Sequence, residues 1–379
     1  MANKHLLHWL RLIRTPGLGS VRIQRLLEAI GEPGQILAAP AARLKTVQGI
    51  GTTMISQLAQ APSLDKAQEE MAAMTRLGIR LLPMDDPLYP ALLKEIAQPP
   101  VALFVQGDAS VLQKEMAIGM VGSRHPSHRG VAMARHMARD LVQQSPAVIV
   151  SGLAEGIDGA AHWGALDGPG YTIAVVATGL DVDYPRRHKE LRQAITRQGC
   201  ILSESPLGTQ PAPHLFPNRN RIISGLCQAV VVVEAALSSG SLITARIALE
   251  QGREVFAVPG PPDFPLSQGP NTLIKEGATL VESAADILSS LAWSDFCSTP
   301  IYNKASLPLT ESGGLGDKTM RVMEILRTGP RQCDEILRLC QLTVGELSTI
   351  LLKMEVAGML ERLPGDHVAL CQDTSTRKS

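Results

Sequence analysis

Aromatic residues are scarce in this 379-residue sequence, at 3% of the chain, so an exposed Phe or Tyr beside basic residues carries unusual weight. Paired cysteines are missing too. The six cysteines include no Cys-x-x-Cys pair, which disfavours a zinc site or a disulfide framework. No apolar run approaches the ~20 residues of a membrane span, and we expect no signal peptide. These absences predict a cytoplasmic protein with reduced thiols, no membrane association, no metal and no cofactor.

An excess of charge of one sign is also lacking. Lysine plus arginine (36) equals aspartate plus glutamate (36), so any affinity for nucleic acid has to come from a local basic patch. The hydrophobic fraction of 45% and the charged fraction of 19% are typical of a folded globular protein. At this length we expect two or three domains.

Residues 1–65 have a helical pattern that is broken by two similar turns. Both read Gly-apolar-Gly, and they are Pro16-Gly17-Leu18-Gly19 and Gln48-Gly49-Ile50-Gly51. Tandem turns of this kind are typical of helix-hairpin-helix units and predict an all-α, SAM-like domain. Their backbone N–H groups are able to contact a phosphate. The alternative is that these glycines only end helices at left-handed positions.

Residues 66–290 alternate between strand-like and helical runs, which predicts an α/β fold with an extended Rossmann-like core. The apolar runs at 173–176 and 230–233 do not alternate with polar residues, as expected for parallel strands buried on both faces. Two extra strands, 79–83 and 101–106, extend the sheet at one edge. The other predicted strands are 116–121, 147–151, 171–177, 200–203, 229–233, 254–258 and 279–281.

The remainder of the chain predicts a linker and a small third domain. Residues 291–318 are rich in Ser, Pro and Gly and are interpreted as a linker. Residues 319–379 follow the order of a winged helix, with helices near 319–327, 332–340 and 343–357 before two strands. The third of these helices is acidic to neutral, so protein contact or packing is favoured over reading of a duplex.

Three of the predicted strands end in glycine, at Gly122, Gly152 and Gly179. In a parallel sheet these glycines lie at the carboxyl edge, where helix N-termini present free N–H groups to a ligand. Gly122 and Ser123 lead directly to Arg124, whose guanidinium is able to hold a phosphate with two hydrogen bonds. A salt bridge at the sheet edge is the alternative, and the position at the ligand edge favours phosphate.

The densest basic cluster of the chain follows the third of these strands. It contains Arg186, Arg187 and Lys189 after Tyr184-Pro185. A solvated helix start is the usual explanation of such a run. Its position predicts instead that it shares the edge with Arg124 and binds the same polyanion.

Two further segments are predicted to reach this edge. The run from Phe216 to Arg221 supplies Arg219, Asn220 and Arg221 together with an aromatic ring. Phe216 is interpreted either as a base-stacking residue or as part of the core. Gly240 and Ser241 open a helix after a buried strand and predict an anion-binding nest.

Asp158 and His162 are four residues apart and share a helix face, which permits acid–base chemistry. We favour the alternative, a hydrogen bond of the Asp158 carboxylate that fixes the glycine-rich loop. Since the edge otherwise offers arginines and no catalytic set, we expect a binding protein rather than an enzyme.

Several of these motifs together resemble the DprA (Smf) family. They are Val121-Gly122-Ser123-Arg124, Ser151-Gly152-Leu153-Ala154, Gly156-Ile157-Asp158, Phe216-Pro217, Arg219-Asn220-Arg221-Ile222, Ser239-Gly240-Ser241-Leu242 and Pro259-Gly260. The resemblance implies a protein that binds single-stranded DNA, protects incoming DNA in natural transformation and loads a RecA-type recombinase. It also implies a homodimer.

Carried over by motif, the implied DNA-binding residues are Arg124, Arg186 and the segment from Phe216 to Arg221. The resemblance further implies a dimer interface at 271–280, including Asn271, Ile274 and Leu280. Two positions depart from the family pattern: Glu155 stands where relatives often carry a basic or neutral residue, and Asn218 stands where many carry a basic one. These departures give the basic cluster at 186–189 a larger expected role, and the exposed side of 241–251 is a candidate contact for the recombinase.

Two other functions are weighed. The first is a nucleotide-hydrolysing enzyme of the phosphoribohydrolase-like group, but the segment from Gly240 to Ile247 lacks the glutamate which that chemistry needs. The second is a transcription factor that acts through residues 319–379, which the acidic to neutral third helix of that region disfavours.

Overall fold

The structure is a computed structural model of the chain. It describes residues 2–298, 315–326, 329, 331–340, 342–343, 345–347, 350–351, 354, 360–363 and 367–370. The chain divides into two compact units, Met1–Thr299 and Pro300–Ser379. The predicted boundaries at 65 and 290 stay predictions.

Six helices come first, and they share an apolar core with one face of the sheet that follows, including Phe104 and Ile201. Trp9, Leu12 and Leu26 are almost fully buried in it. Both Gly-apolar-Gly turns occur as predicted, with positive φ at Gly17 (72°) and Gly49 (85°), and a helix follows each turn directly. The helices are α1 (Ala2–Ile13), α2 (Ser20–Ile30), α3 (Pro33–Ala38), α4 (Ala41–Leu44), α5 (Thr52–Ala59) and α6 (Leu64–Arg76).

A nine-stranded sheet follows, and it confirms the predicted α/β core. Its strands are β1 (Ile79–Pro83), β2 (Ala102–Gly107), β3 (Ala117–Val121), β4 (Val148–Ser151), β5 (Tyr171–Val176), β6 (Gly199–Ser203), β7 (Ala229–Val232), β8 (Glu254–Ala257) and β9 (Thr279–Leu280). The spatial order is β1-β2-β6-β5-β4-β3-β7-β8-β9. β3 to β9 pair in parallel, and β1 and β2 add an antiparallel edge next to β6.

Helices cover both faces of this sheet, as its unalternating apolar strands require. They are α7 (Ala91–Lys94), α8 (His128–Gln144), α9 (Ile157–Asp167), α10 (Lys189–Arg197), α11 (Leu215–Gly225), α12 (Gly240–Glu250), α13 (Gln268–Lys275) and α14 (Ala284–Ser298). The chain builds β4, β5 and β6 on one side of β3 and then β7, β8 and β9 on the other. The strand order therefore reverses between β3 and β7, where open α/β sheets bind ligands.

The linker predicted at 291–318 stays a prediction, and helices extend into both of its ends. α14 continues to Ser298 and α15 (Leu315–Leu326) begins before residue 318, while 299–314 lie outside the described residues. α14 persists because Ala284, Ile287 and Leu291 recur at helical spacing and are buried against the sheet domain.

The second unit contains α15, α16 (Cys333–Cys340) and a small antiparallel sheet. Its strands are β10 (Arg331–Gln332), β11 (Leu360–Leu363) and β12 (His367–Leu370), in the order β10-β12-β11. Val322, Ile336, Ile350 and Val368 form its core. Much of the predicted third helix falls outside the described residues. In the part of the chain that the structure describes, every helix lacks the length or the apolarity needed to cross a membrane.

Candidate nucleic-acid interface

Two adjoining cavities lie at the carboxyl ends of β3, β4, β5 and β7, at the point where the strand order reverses. Their volumes are about 410 and about 220 Å³. They share the lining residues Arg124, Ala154, Phe216 and Arg219, and together they are called the trough. The larger cavity also contacts Gly122, Ser123, Asp158, Asn220, Gly240, Ser241 and Thr244. The smaller one also contacts Gly152, Glu155, Tyr184 and Pro185.

A cation and two aromatic rings form the wall between the cavities. The Arg124 guanidinium lies over the Phe216 ring, 5.1 Å from its centroid. The Tyr184 ring is 5.9 Å from the Phe216 ring, centroid to centroid, and tilted by 50°. Phe216 is half-buried and outside the sheet core, whereas Arg124 is exposed. The wall therefore presents aromatic surface and positive charge to the same solvent-filled space, which suits a nucleotide.

The loop after β3 is held by Glu234, a nearly buried residue just beyond β7. Its backbone oxygen accepts the Ser123 amide at 2.6 Å. Its carboxylate accepts the Ser127 amide at 2.8 Å and the Ser127 hydroxyl at 2.6 Å. Gly122 is required here because a Cβ would lie 2.6 Å from the Ile157 side chain. The start of α8 is thus already occupied by a carboxylate, so it does not offer the free donors predicted for it.

The loop after β4 is fixed in a similar way. The Asp158 carboxylate accepts the amides of Gly152 at 3.1 Å and Ala154 at 3.4 Å. Between them, Leu153 is buried and has a φ of 55°, which is unusual for a branched residue. Burial raises the pKa of Asp158, opposed by the Arg219 charge and by these amides. The favoured interpretation of Asp158 as a residue that fixes the loop is confirmed.

His162 does not join Asp158, although the two share a helix. Its Nδ1 lies 2.7 Å from the Thr172 hydroxyl, which itself donates to the Ile149 carbonyl at 2.7 Å. The His162 Nδ1 therefore carries the proton. Nε2 is buried and has no hydrogen-bond partner among the described residues. Burial lowers the pKa of His162 to about 3, so its imidazole is neutral and structural.

Arg219 requires a correction. The sequence predicts it as a DNA-binding residue, but it is only 7% exposed. Its Nη1 donates to the carbonyls of Gly152 at 2.6 Å and Val175 at 2.5 Å, which joins the ends of β4 and β5. Burial lowers its pKa to about 10, so it stays charged at neutral pH. A Cβ on Gly152 would overlap this guanidinium, so Gly152 serves packing rather than contact with a ligand.

The nest predicted after β7 is present and open. Ser239 caps α12 through the Ser241 amide, and the two hydroxyls are 2.8 Å apart. The Gly240 amide makes no hydrogen bond to another described residue. A Cβ on Gly240 would meet nothing within 4 Å, so the space beside it belongs to the trough. Of the three glycine positions offered as DNA contacts, this is the one that faces free volume with an unused donor.

The basic cluster lies at the rim of the trough. Arg186, Arg187 and Lys189 are all exposed, and they follow Tyr184 and Pro185, which line the smaller cavity. Arg187 pairs with Glu155 at 3.4 Å. The Glu155 carboxylate therefore offsets part of the positive charge of the cluster, as expected from its departure from the family pattern.

Arg221 also differs from the prediction. Asn220 lines the trough, but Arg221 lies on the other side of α11 with Asn218 and lines a separate cavity. There its Nη2 donates to Glu204 at 2.5 Å. The cluster from Phe216 to Arg221 is thus divided between two surfaces by its helix.

The predicted dimer residues lie at the end of the sheet beyond β8. Leu280 is 47% exposed on the edge strand β9. Ile274 is half-buried and packs on the sheet core. The Asn271 side chain donates to the Gly260 carbonyl at 2.9 Å and accepts the Gly260 amide at 3.3 Å, and its interface role stays a prediction.

Two residues that shape this site, Glu234 and Tyr184, were not singled out from the sequence. Glu234 follows the buried run at 230–233, and a carboxylate at the end of a strand is the only sequence feature that could have identified it. Tyr184 was noted for its place in the basic cluster and not for its ring. Within the described ranges, no group of three or more His, Cys, Asp or Glu side chains is placed to hold a metal ion.

Comparison with known proteins relates both units of the chain to one group. The family described as DNA recombination-mediator protein A matches residues 80–292, and the DprA winged helix domain matches residues 310–366. Protein Smf of Escherichia coli (strain K12) is 40% identical over 311 residues, 79% of each protein. The X-ray structure of DNA processing protein A (DprA) from Streptococcus pneumoniae is similar with a TM-score of 0.65 and 36% identity, over 75% of this chain and 97% of that one.

A second solved structure concerns DNA processing protein A from Helicobacter pylori and the single-stranded DNA binding mode of that protein. It has a TM-score of 0.52 and 28% identity, and the match covers 58% of this chain and 98% of that chain.

Proposed function

Since the chain belongs to the DNA recombination-mediator protein A family, we propose that it binds single-stranded DNA in the trough without preference for sequence. The observation that carries this proposal is the Arg124–Phe216 pair beside the open Gly240 amide. One ring face and two phosphate donors border the same cavity. Stacking accepts any base, and phosphate contacts carry no sequence information, so the pair favours affinity over readout.

The rim cluster extends this surface. A strand that leaves the smaller cavity passes Tyr184 and meets the exposed Arg186 and Lys189. Arg186 is the stronger contact of the two arginines, because Arg187 shares its charge with Glu155. We assign Arg219 a positioning role, since its guanidinium holds the carbonyls that form the floor of the trough.

We propose that the bound strand is protected incoming DNA in natural transformation and homologous recombination, and that the protein loads a RecA-type recombinase on it. The family description, recombination mediator, supports this. The exposed side of α12 is the proposed contact, because Ile243 (41% exposed) lines the trough and Leu249 (54% exposed) adds apolar surface further along the same helix.

We propose a homodimer formed through the β9 edge. β9 pairs with β8 on one side only, and an edge strand with an exposed leucine is a template for pairing. We also propose that the trough binds without a catalytic step. Asp158, a carboxyl that lines the trough, and His162 on the same helix are buried and engaged in internal hydrogen bonds.

The proposal is tested by fluorescence anisotropy with single-stranded and duplex oligonucleotides over a salt series. We expect tighter binding of the single strand. Arg124→Ala should weaken it and lower the salt slope by about 0.7 for each phosphate that the variant no longer neutralises. Arg76→Ala, which removes an exposed arginine at the end of α6, is the matched control and should leave both quantities unchanged. Equal binding of duplex, or an unchanged slope in Arg124→Ala, would remove the trough as the binding site.

A further inference from the structure

A second basic cavity lies between the helical region and the sheet domain. Its volume is about 460 Å³. One wall is the start of α2 and the other is α11, and the residues that matter are Ser20, Arg22, Arg25, Asn218 and Arg221. Both Gly-apolar-Gly turns reach it, through Gly19 and Gly49. The trough does not account for this cavity, because the two share no lining residue.

Positive charge dominates the lining. Arg22, Arg25 and Arg221 contribute three guanidinium groups, against one carboxylate from Glu204. Glu204 is already bound, since it accepts the Ser20 hydroxyl at 2.6 Å and Arg221 Nη2 at 2.5 Å. Arg22 and Arg25 make no ion pair with any carboxylate among the described residues. Two uncompensated cations in a cavity attract an anion with several oxygen acceptors.

The same two arginines brace the turns. Arg22 Nη1 donates to the Gly17 carbonyl at 2.8 Å, and Arg25 Nη1 donates to the Gln48 carbonyl at 3.3 Å. Each guanidinium has further N–H groups for a ligand. α2, an 11-residue helix, begins at Ser20 without a side-chain cap, so its N-terminal dipole adds to the field of these arginines.

A single helix, α11, separates this cavity from the trough. Phe216, Arg219 and Asn220 line the trough, whereas Asn218 and Arg221 line the second cavity. A helix with its side chains is about 10–12 Å across. A flexible strand bound at Phe216 therefore needs to cross only the exposed start of α11 to bring its next phosphates to Arg22 and Arg25.

We propose that this cavity is a second phosphodiester-binding site, which holds the backbone of the same single strand that the trough binds. This inference rests on the proposed function and adds a path for the strand: from the trough, over α11, to the two turns of the helical region. The site takes phosphates rather than bases, because no aromatic ring among the described residues lines it. It therefore adds affinity only for a strand long enough to reach it.

The test uses the full chain and oligothymidylates of increasing length, from about 4 to about 16 nucleotides. The variant is Arg22→Gln with Arg25→Gln, because glutamine keeps a donor for the turn carbonyls and removes the charge. Arg76→Gln is the matched control. We expect the double variant to bind the shortest oligomers as the parent does and to bind the longest about tenfold or more weakly. Its salt slope should fall by about 0.7 for each phosphate that the two arginines neutralise in the parent.

The outcomes separate the two proposals. Weaker binding at long lengths alone supports the second site. An equal loss at every length, or an unchanged affinity at every length, overturns it. A parent protein that binds no oligomer of any length overturns the proposed function itself, and Arg124→Ala, which is expected to weaken all lengths, shows whether the trough acts independently. A thermal unfolding curve that matches the parent confirms that the glutamine variant is folded.

Discussion

The Arg124 guanidinium lies 5.1 Å above the centroid of the Phe216 ring. The cation is attracted to the ring face, and this attraction favours the observed arrangement of the two side chains. Tyr184 supports the ring from its side. The pair joins a phosphate-binding group and a base-stacking group into one unit at the strand reversal, and its two contributions to binding are separable by experiment.

Phe216→Leu is expected to weaken single-strand binding by about 1–3 kcal/mol while leaving the salt slope unchanged, because stacking releases no counterions. Phe216→Trp keeps an aromatic face and should retain most of the affinity. Anisotropy titrations at several salt concentrations measure both quantities. A changed slope in Phe216→Leu would mean that the ring acts by positioning Arg124 rather than by stacking.

Gly240→Ala is expected to raise the free energy of unfolding and at the same time to weaken single-strand binding. The added methyl group meets no protein atom within 4 Å, and alanine in a helix favours folding by about 0.5–1 kcal/mol relative to glycine. The same methyl group occupies the trough beside the free amide, so single-strand affinity should fall. Urea unfolding and anisotropy are measured on one preparation. Unchanged affinity would show that the strand does not approach α12.

Arg219→Ala is expected to destabilise the fold by about 3–5 kcal/mol, because it leaves the Asp158 carboxyl buried without its cation. The carbonyls of Gly152 and Val175 also lose their donor. Arg124→Ala, at an exposed position, is the control and should stay within about 0.5 kcal/mol of the parent. Denaturant unfolding provides the comparison. If both variants were equally stable, Arg219 would not be a positioning residue.

The His162 imidazole predicts a pH dependence of stability. Its pKa is lowered from 6.5 to about 3 in the folded state by burial, so below pH 6.5 the unfolded chain takes up a proton that the folded chain does not. This contribution to the free energy of unfolding is complete above pH 6.5 and is lost towards pH 3, at up to about 1.4 kcal/mol per pH unit. Urea titrations at pH 7 and pH 5 should show a smaller loss for His162→Gln than for the parent. Equal losses of stability in the parent and in His162→Gln would show that His162 does not cause this pH dependence.

Leu280→Arg is expected to convert a dimer to a monomer, because it places a charge on the edge strand that is proposed to pair with a second copy. Leu249→Arg introduces the same change at another exposed leucine, on α12, and should leave the oligomeric state unaltered. Light scattering on the parent and on both variants measures the oligomeric state. A monomeric parent protein would contradict the proposed interface.

The sheet was predictable because its signals are local. Apolar runs without alternation, such as 230–233, predicted strands to within a residue or two, and the glycines after them marked the carboxyl edge. Parallel strands bring these ends together by topology alone, so the convergence of Arg124, Phe216 and Gly240 on one cavity followed from sequence.

The sequence did not reveal the division between Arg219 and Arg221. Residues two apart on a helix do not face each other, so the helix that begins at Leu215 sends these arginines to different surfaces. Nor did it reveal which carboxylates fill the helix starts. Glu234 reaches Ser127 from a distant part of the chain, and such long-range pairing leaves no local pattern.

Glu234 connects the two halves of the sheet across the reversal, through its backbone to Ser123 and through its side chain to Ser127. The loops on either side therefore cannot shift separately. An arriving strand meets a surface whose shape is set before contact, and little conformational freedom remains to be lost on the protein side. The speed of association should then depend on diffusion and salt, without a slow closing step.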